Sequence, residues 1–143
     1  MSQRRVQLVP GKPNVIVFES YVSSRNDVTV HVDVQSEVRL TELEAIARKL
    51  STGEVKTVHL SDLEDTHWVP PLADIVLTVS ARSSDVRNRR GGEQVICEWT
   101  ESVEGWLEST EKIAVMGASV RPCHQYFEGP HADSVTIELA YME

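Results

Sequence analysis

Cysteine and histidine side chains gather in the last third of the sequence. Cys123 and His124 are adjacent, His131 follows shortly after, and Cys97 lies in a predicted strand. Thiolate and imidazole groups bind zinc, and a thiol beside an imidazole can act as a nucleophile with its base. Adjacent residues cannot easily point at one metal ion, and the usual spacers between zinc ligands are missing. We therefore predict no metal, no cofactor and no catalytic residue. A metal-binding protein or small enzyme using Cys123, His124 and His131 is the alternative.

A second set of residues is suited to binding another protein. Four glutamates recur at near-helical spacing in a predicted helix, which indicates either a solvated face or a docking surface for a cationic partner. Trp68 in a polar loop is the tryptophan most open to solvent, and exposed tryptophans often anchor interfaces. The candidate partner-binding residues are Trp68, Glu101, Glu104, Glu108, Glu111, His124 and Tyr126.

The first half of the chain predicts a hairpin, a helix and a strand. Residues 14–22 are rich in β-branched and aromatic types, and every second residue from Val28 to Val34 is valine, which predicts an antiparallel hairpin with His31 facing solvent. Apolar residues at helical spacing then predict a helix that ends at Gly53. Either Ser36 or Thr41 fits its N-cap.

The strands of the second half are less regular. Residues 54–60 read as a strand, and alternation at 73–79 and 93–99 predicts two more. The segment 83–92 between them is polar and rich in arginine, and it reads as a mobile hairpin loop whose two glycines form the turn.

A second helix and a closing strand complete the chain. Thr100 is a plausible N-cap and Gly117 ends the helix, after which residues 123–131 read as a turn and 135–141 as a strand. The predicted buried stripe of this helix consists of Val103, Trp106, Leu107, Thr110 and Ile113.

The order of these elements predicts an α+β fold with a largely antiparallel sheet and two helices packed on one face. Hairpin, helix and strand occur twice, which suggests two ββαβ units, at 14–60 and 73–142. Since 143 residues match the size of one ordinary domain, we predict a single domain over residues 1–143.

Composition narrows the classes of partner. The chain has 14 Lys+Arg against 22 Asp+Glu, for a formal charge of −8, which disfavours nucleic acid and anionic lipid surfaces. No apolar run approaches the roughly 18 residues that span a bilayer. Residues 4–9 predict a short edge strand, too short for a secretory segment, so the default expectation is a cytoplasmic protein with reduced cysteines.

The C-terminal third resembles small immunity proteins of bacterial polymorphic-toxin systems. The likeness consists of a helix containing Trp106, the element His124-x-Tyr126, Gly129 and a closing strand at 134–139. The stretch Glu-Gly-Trp-Leu-Glu is also similar to those of small uncharacterised bacterial proteins. Tyr126 stands where a second histidine is common in the immunity group. The resemblance implies a non-enzymatic protein that neutralises a toxin domain, and the negative charge suits a basic toxin.

Three hypotheses follow. The first is an immunity-type inhibitor that binds a basic protein partner through its acidic surface. The second is the metal-binding protein or small enzyme described above. The third is a structural accessory subunit that uses an open sheet edge.

Overall fold

The computed structural model describes residues 14–22, 27–131 and 133–143, and the edge strand predicted at residues 4–9 lies outside these ranges. The described residues form nine strands and two helices, which confirms the α+β class. The strands are β1 (Ile16–Val22), β2 (Val28–Val34), β3 (Thr57–His59), β4 (Thr66–Trp68), β5 (Leu72–Val79), β6 (Asp85–Gly91), β7 (Gln94–Glu101), β8 (Cys123–Glu128) and β9 (Thr136–Tyr141). The helices are α1 (Glu37–Thr52) and α2 (Val103–Gly117).

The strands form two mixed sheets, whereas the sequence suggested one largely antiparallel sheet. The five-stranded sheet has the order β4-β1-β2-β9-β8, and the four-stranded sheet has the order β3-β5-β7-β6. The pairs β1/β4, β2/β9 and β5/β7 are parallel, and the other pairs are antiparallel. The strands of each parallel pair are separated in the chain by at least one other element, which forms the crossover that parallel pairing requires.

Each sheet combines a hairpin with strands from the other part of the chain. The hairpin β1–β2 precedes α1, and its strand β2 pairs with β9, which follows α2; β4 and β8 are the edge strands of this sheet. The hairpin β6–β7 precedes α2, and its strand β7 pairs with β5, which follows α1; β3 and β6 are the edge strands of this sheet. The predicted hairpin of residues 73–79 and 93–99 is wrong, because β5 and β7 pair in parallel and β6 forms the hairpin with β7. The two halves therefore divide between β5 and β6, at about residue 82, and not before residue 73. Each half contributes strands to both sheets.

The core lies between the two sheets and the two helices, which pack against each other. Trp106 is completely buried there, and its indole N–H donates to the backbone oxygen of Thr78 at 3.0 Å. An apolar cavity of about 30 Å³ remains between both helices, β2, β5, β7 and β9. This volume is near that of one water molecule, so this cavity has no room for a substrate.

Helix α1 matches the predicted limits. Of the two possible N-caps, Ser36 is used: its side chain accepts a hydrogen bond from the backbone N–H of Val38 at 3.2 Å. At the other end Gly53 adopts a left-handed conformation with φ of 77° and donates to the backbone oxygen of Leu50. A glycine is favoured at that position because other residues are strained at positive φ.

Helix α2 starts later than predicted. Ser102 is the N-cap, with its side chain accepting from the backbone N–H of Gly105 at 3.0 Å, whereas Thr100 lies in β7. Glu101 also belongs to β7, not to the helix. The carboxylate of Glu101 accepts a hydrogen bond from Ser109 at 2.9 Å, which turns the Ser109 side of the helix toward the sheet.

The buried face of α2 therefore differs from the predicted stripe. Val103 and Leu107, which were predicted to be buried, are exposed. The buried residues of α2 are Trp106, Ser109, Thr110, Ile113 and Met116.

Two segments predicted as irregular are edge strands. The predicted loop at 83–92 forms β6, and the glycine pair forms the predicted hairpin turn before β7. The predicted turn at 123–131 contains β8. Each strand has a single fully buried residue, Val86 or Phe127, because an edge strand with one wet face needs few apolar side chains.

Candidate functional site

The side of the five-stranded sheet that faces away from the core carries a concentration of titratable side chains. We call this side the outer face. Its register places Glu19, His31, Glu138 and Tyr126 in one row across four strands. The adjacent row contains Asp33, Ala140 and His124. Because successive side chains of a strand point to opposite faces, these residues share one face, and the pairing register makes them neighbours although they come from opposite ends of the chain.

His31 is buried in this row, which corrects the prediction that it faces solvent. It is only 3% exposed, although its side of β2 faces away from the core. His31 Nε2 lies 3.8 Å from Glu138 Oε1. The hydroxyl of Tyr21 donates to the same carboxylate oxygen at 3.0 Å. These contacts fix the orientation of the Glu138 carboxylate.

His124 is exposed on β8 and contacts the last residue of the chain. Its Nδ1 lies 2.7 Å from Glu143 Oε2, and the ring of Tyr126 meets its ring edge-on with centroids 5.2 Å apart. The hydrogen bond to Glu143 raises the pKa of His124. Burial, and then the negative charge of Glu138, raise the pKa of Tyr126. The predicted residues His124 and Tyr126 are thus together, in an acidic environment.

The backbone at Met142 directs Glu143 onto the outer face. Met142 has a φ of 60°, an uncommon value for a residue other than glycine, and its N–H donates to the backbone oxygen of Val34 at 2.9 Å. Regular alternation would place residue 142 on the outer face, but Met142 packs against the core instead. The side chain of Gln35 donates to the backbone oxygen of Glu143 at 3.2 Å.

The described residues contain one group of histidine, cysteine or acidic side chains that could share a metal ion. It consists of His124, Glu138 and Glu143, whose ligand atoms lie within 4.8 Å of one another. Glu138 and Glu143 are absent from the residues that the sequence indicated. The alternation of Glu138 with the buried residues of the closing strand could have indicated that Glu138 lies on the outer face. No sequence pattern predicts that Glu143 folds back toward His124.

The alternative set of Cys123, His124 and His131 does not form such a group. Cys123 packs against the core and His124 lies on the opposite side of β8, as expected for adjacent strand residues. Cys97 and Cys123 are free cysteines. Cys97 is fully buried, and burial raises its pKa to about 12, so its thiol is not a nucleophile near neutral pH.

The acidic candidates on α2 divide into two kinds. Glu104, Glu108 and Glu111 are exposed on the helix, as predicted. Glu101 instead accepts hydrogen bonds from Trp99 and Ser109, each at 2.9 Å, and ties β7 to α2. We infer a structural role for Glu101 from these two bonds.

Three large apolar residues are exposed beside these glutamates. Val103 and Leu107 are each 47% exposed and Val115 is 65% exposed, although all three lie on a packed helix. Together with Glu104, Glu108 and Glu111 they form what we call the α2 face. An apolar and acidic helix face of this kind is suited to protein contact.

Trp68 is half-buried on β4, not in a polar loop. Its ring stacks on Phe18 with centroids 3.9 Å apart and an angle of 6° between planes, and its N–H donates to Thr66 at 3.0 Å. The stacking covers one end of the core.

Compared with protein-family models, curated proteins and solved structures, the chain matches none of them. Within the described ranges, neither helix has the length and apolar character required to cross a membrane.

Proposed function

We propose that this chain is a non-enzymatic binding protein, an immunity-type inhibitor that neutralises a basic toxin domain through the α2 face. The observation that carries the proposal is the exposure of Val103, Leu107 and Val115 alongside three glutamates on one helix. Apolar residues at the centre of an interface supply affinity, and charges around them select and steer the partner.

The charge of the α2 face is not compensated locally. Glu104, Glu108 and Glu111 form no ion pair with any described residue. The single lysine of the helix, Lys112, is directed to β8, where its ammonium donates to the backbone oxygen of Tyr126 at 2.9 Å. With a formal charge of −8 for the whole chain, the α2 face favours a cationic partner.

The choice of a toxin as the partner rests on the resemblance of the C-terminal third to immunity proteins. Inhibition of this kind requires a preformed surface that covers the toxin's active site, and no chemistry in the inhibitor. The α2 face is preformed, because Trp106 and its buried neighbours fix the helix on the core. Trp68 and Glu101, which pack or bond within the fold, are not part of the proposed surface.

The proposal predicts a toxin domain encoded beside this chain, and co-expression of the two proteins tests it. We expect the unmodified chain to protect growing cells. The triple variant Glu104→Lys, Glu108→Lys, Glu111→Lys and the single variant Leu107→Asp should each protect at least tenfold less well. The three lysines would repel a basic partner, and a charged side chain at position 107 would be costly to bury in the apolar part of the contact. In titration calorimetry with the purified toxin domain, the unmodified chain should bind more tightly than either variant. Its affinity should fall as the salt concentration increases.

A matched control reverses the same number of glutamate charges on another part of the surface. The variant Glu54→Lys, Glu64→Lys, Glu93→Lys reverses three exposed glutamates away from α2 and should still protect. Full protection by the α2 variants would exclude the α2 face. Failure of the unmodified chain to protect against the adjacent toxin would contradict the immunity function itself.

A further inference from the structure

At one end of the outer face, an imidazole and two carboxylates converge from three places in the chain. We propose that His124, Glu138 and Glu143 bind a divalent transition-metal ion, with Zn²⁺ as the ion to test. This site lies on β8, β9 and the residue after the bend at Met142, and it shares no residue with the α2 face. The inference goes beyond the proposed function and is independent of it.

The spacing of the ligand atoms suits one small ion. Zinc bonds to nitrogen and oxygen at about 2.0–2.2 Å, so ligand atoms around a tetrahedral ion are about 3.3 Å apart. Here His124 Nδ1 and Glu143 Oε2 are 2.7 Å apart, and the three ligand atoms all lie within 4.8 Å of one another. The side chains of His124 and Glu143 are 41% and 29% exposed, so small rotations can bring the atoms to bonding distance.

The sheet register brings the ligands together around a residue with a small side chain. His124 lies opposite Ala140, and Glu138 precedes Ala140 by two positions on the same side of β9. Ala140 is completely buried and contributes only a methyl group beside them. Glu143 reaches the same region from beyond the end of β9, because the bend at Met142 is held by the bond to Val34.

The local charge favours a cation. The two carboxylates meet the imidazoles of His124 and, at 3.8 Å from Glu138, of His31, and neither Glu138 nor Glu143 forms an ion pair with a lysine or arginine of the described ranges. A divalent ion would balance both carboxylates and leave the imidazole of His124 as a neutral ligand.

The donor set selects the class of metal. Mg²⁺ and Ca²⁺ prefer oxygen ligands only, whereas an imidazole nitrogen with carboxylates suits Zn²⁺ and its transition-metal neighbours. Three protein ligands leave one tetrahedral position for water. Glu138 is already oriented from outside the site by the hydroxyl of Tyr21, as metal-binding carboxylates usually are.

Titration calorimetry on the full, metal-free chain tests the site. We expect saturable binding of one Zn²⁺ per chain and no binding of Mg²⁺ at the same concentrations. His124→Ala and Glu143→Gln should each weaken Zn²⁺ binding by at least about tenfold. Loss of a residue that only hydrogen-bonds to a metal ligand typically costs this much, and loss of a ligand should cost no less. Both residues are exposed, so the variants should keep the far-ultraviolet circular dichroism of the parent; Glu138→Gln serves as a third variant.

Two controls separate the site from general surface binding. His131→Ala and Glu128→Gln remove an exposed histidine and an exposed carboxylate outside the group, and each should leave zinc affinity unchanged. The proposal is overturned if Zn²⁺ does not bind saturably, if the controls weaken binding as much as the ligand variants, or if Mg²⁺ competes equally. None of these outcomes bears on toxin binding by the α2 face.

Discussion

At the scale of single residues, Asp85 joins the two sheets. Its carboxylate accepts hydrogen bonds from the hydroxyl of Ser134 at 2.6 Å and from the N–H of Val86 at 2.9 Å, and it pairs with Arg87. A Cβ at Gly129 would collide with both Ser134 and Asp85, so only glycine fits at that position. These contacts attach β6 of one sheet to the loop between β8 and β9 of the other.

We predict that Asp85 makes stability depend on pH in the acid range. Burial acts to raise the pKa of Asp85, but hydrogen bonds from Ser134, Arg87 and Val86 outweigh it and lower the pKa below the ordinary value of 3.8. As pH falls, the unfolded chain takes up the proton first, so the stabilisation is complete above about pH 4 to 5 and is lost as pH falls through the folded pKa. Urea unfolding should therefore show a larger difference between parent and Asp85→Asn at pH 7 than at pH 3.

The nearby residue Asp133 supplies the control for this experiment. It contacts the same arginine at 3.3 Å but is 73% exposed, and exposed pairs contribute little. Asp133→Asn should change stability less than Asp85→Asn at neutral pH. Equal loss at pH 3 and pH 7 for Asp85→Asn would show that the carboxylate charge has no role.

At the scale of elements, the start of α2 determines which side chains the helix exposes. Ser102 caps this helix in place of the predicted Thr100. The strand β7 continues to Glu101, whose carboxylate holds Ser109 toward the sheet. This arrangement turns Val103 and Leu107 to solvent, and so creates the α2 face.

Removing the hydroxyl of Ser102 or of Thr100 tests which residue caps α2. Ser102→Ala should lower the free energy of unfolding by about 1 kcal/mol, because it removes the acceptor for a backbone N–H in the first turn. Ser102→Asp should retain most of the stability, since it keeps an acceptor near the helix N-terminus. Thermal or urea unfolding measures both. Thr100→Ala should cost less than Ser102→Ala, and the reverse order would place the cap at Thr100.

Much of the fold was predictable from local pattern. Valine at alternate positions predicted β2, and apolar spacing with Gly53 predicted α1, because both elements bury one regular face. The edge strands β6 and β8 were missed because each buries a single residue completely. Their strand character depends on pairing with β7 and β9, which no local window contains.

The candidate sites were less predictable. His124 and Tyr126 were identified from their types, but their neighbours Glu138 and Glu143 depend on the register of β8 and β9 and on the bend at Met142. The exposure of Leu107 depends on helix rotation, which the apolar pattern predicted incorrectly. Both properties are set by tertiary contacts rather than by residue type.

At the scale of the molecule, the two halves depend on each other for their sheets. The central contacts of both sheets, β2 with β9 and β5 with β7, join strands from different halves. The helices α1 and α2, one from each half, pack against each other in the shared core. Neither half can complete a sheet or cover its apolar face alone, which favours unfolding in one cooperative step.

This mutual dependence predicts the behaviour of fragments divided in the segment between β5 and β6. Fragments 1–82 and 83–143 should each lack native circular dichroism, because each contains one hairpin without the central parallel strand, β9 or β5, and one helix without the other. Mixed at equal concentration, they should regain it, since strand exchange makes the native contacts intermolecular. The indole N–H of Trp106, bonded to Thr78 in the other fragment, gives a specific readout: native tryptophan fluorescence should appear only on mixing. A fragment that folds alone with a cooperative transition would show that one half carries a sufficient core, and would contradict the view that the exchange of strands holds the fold together.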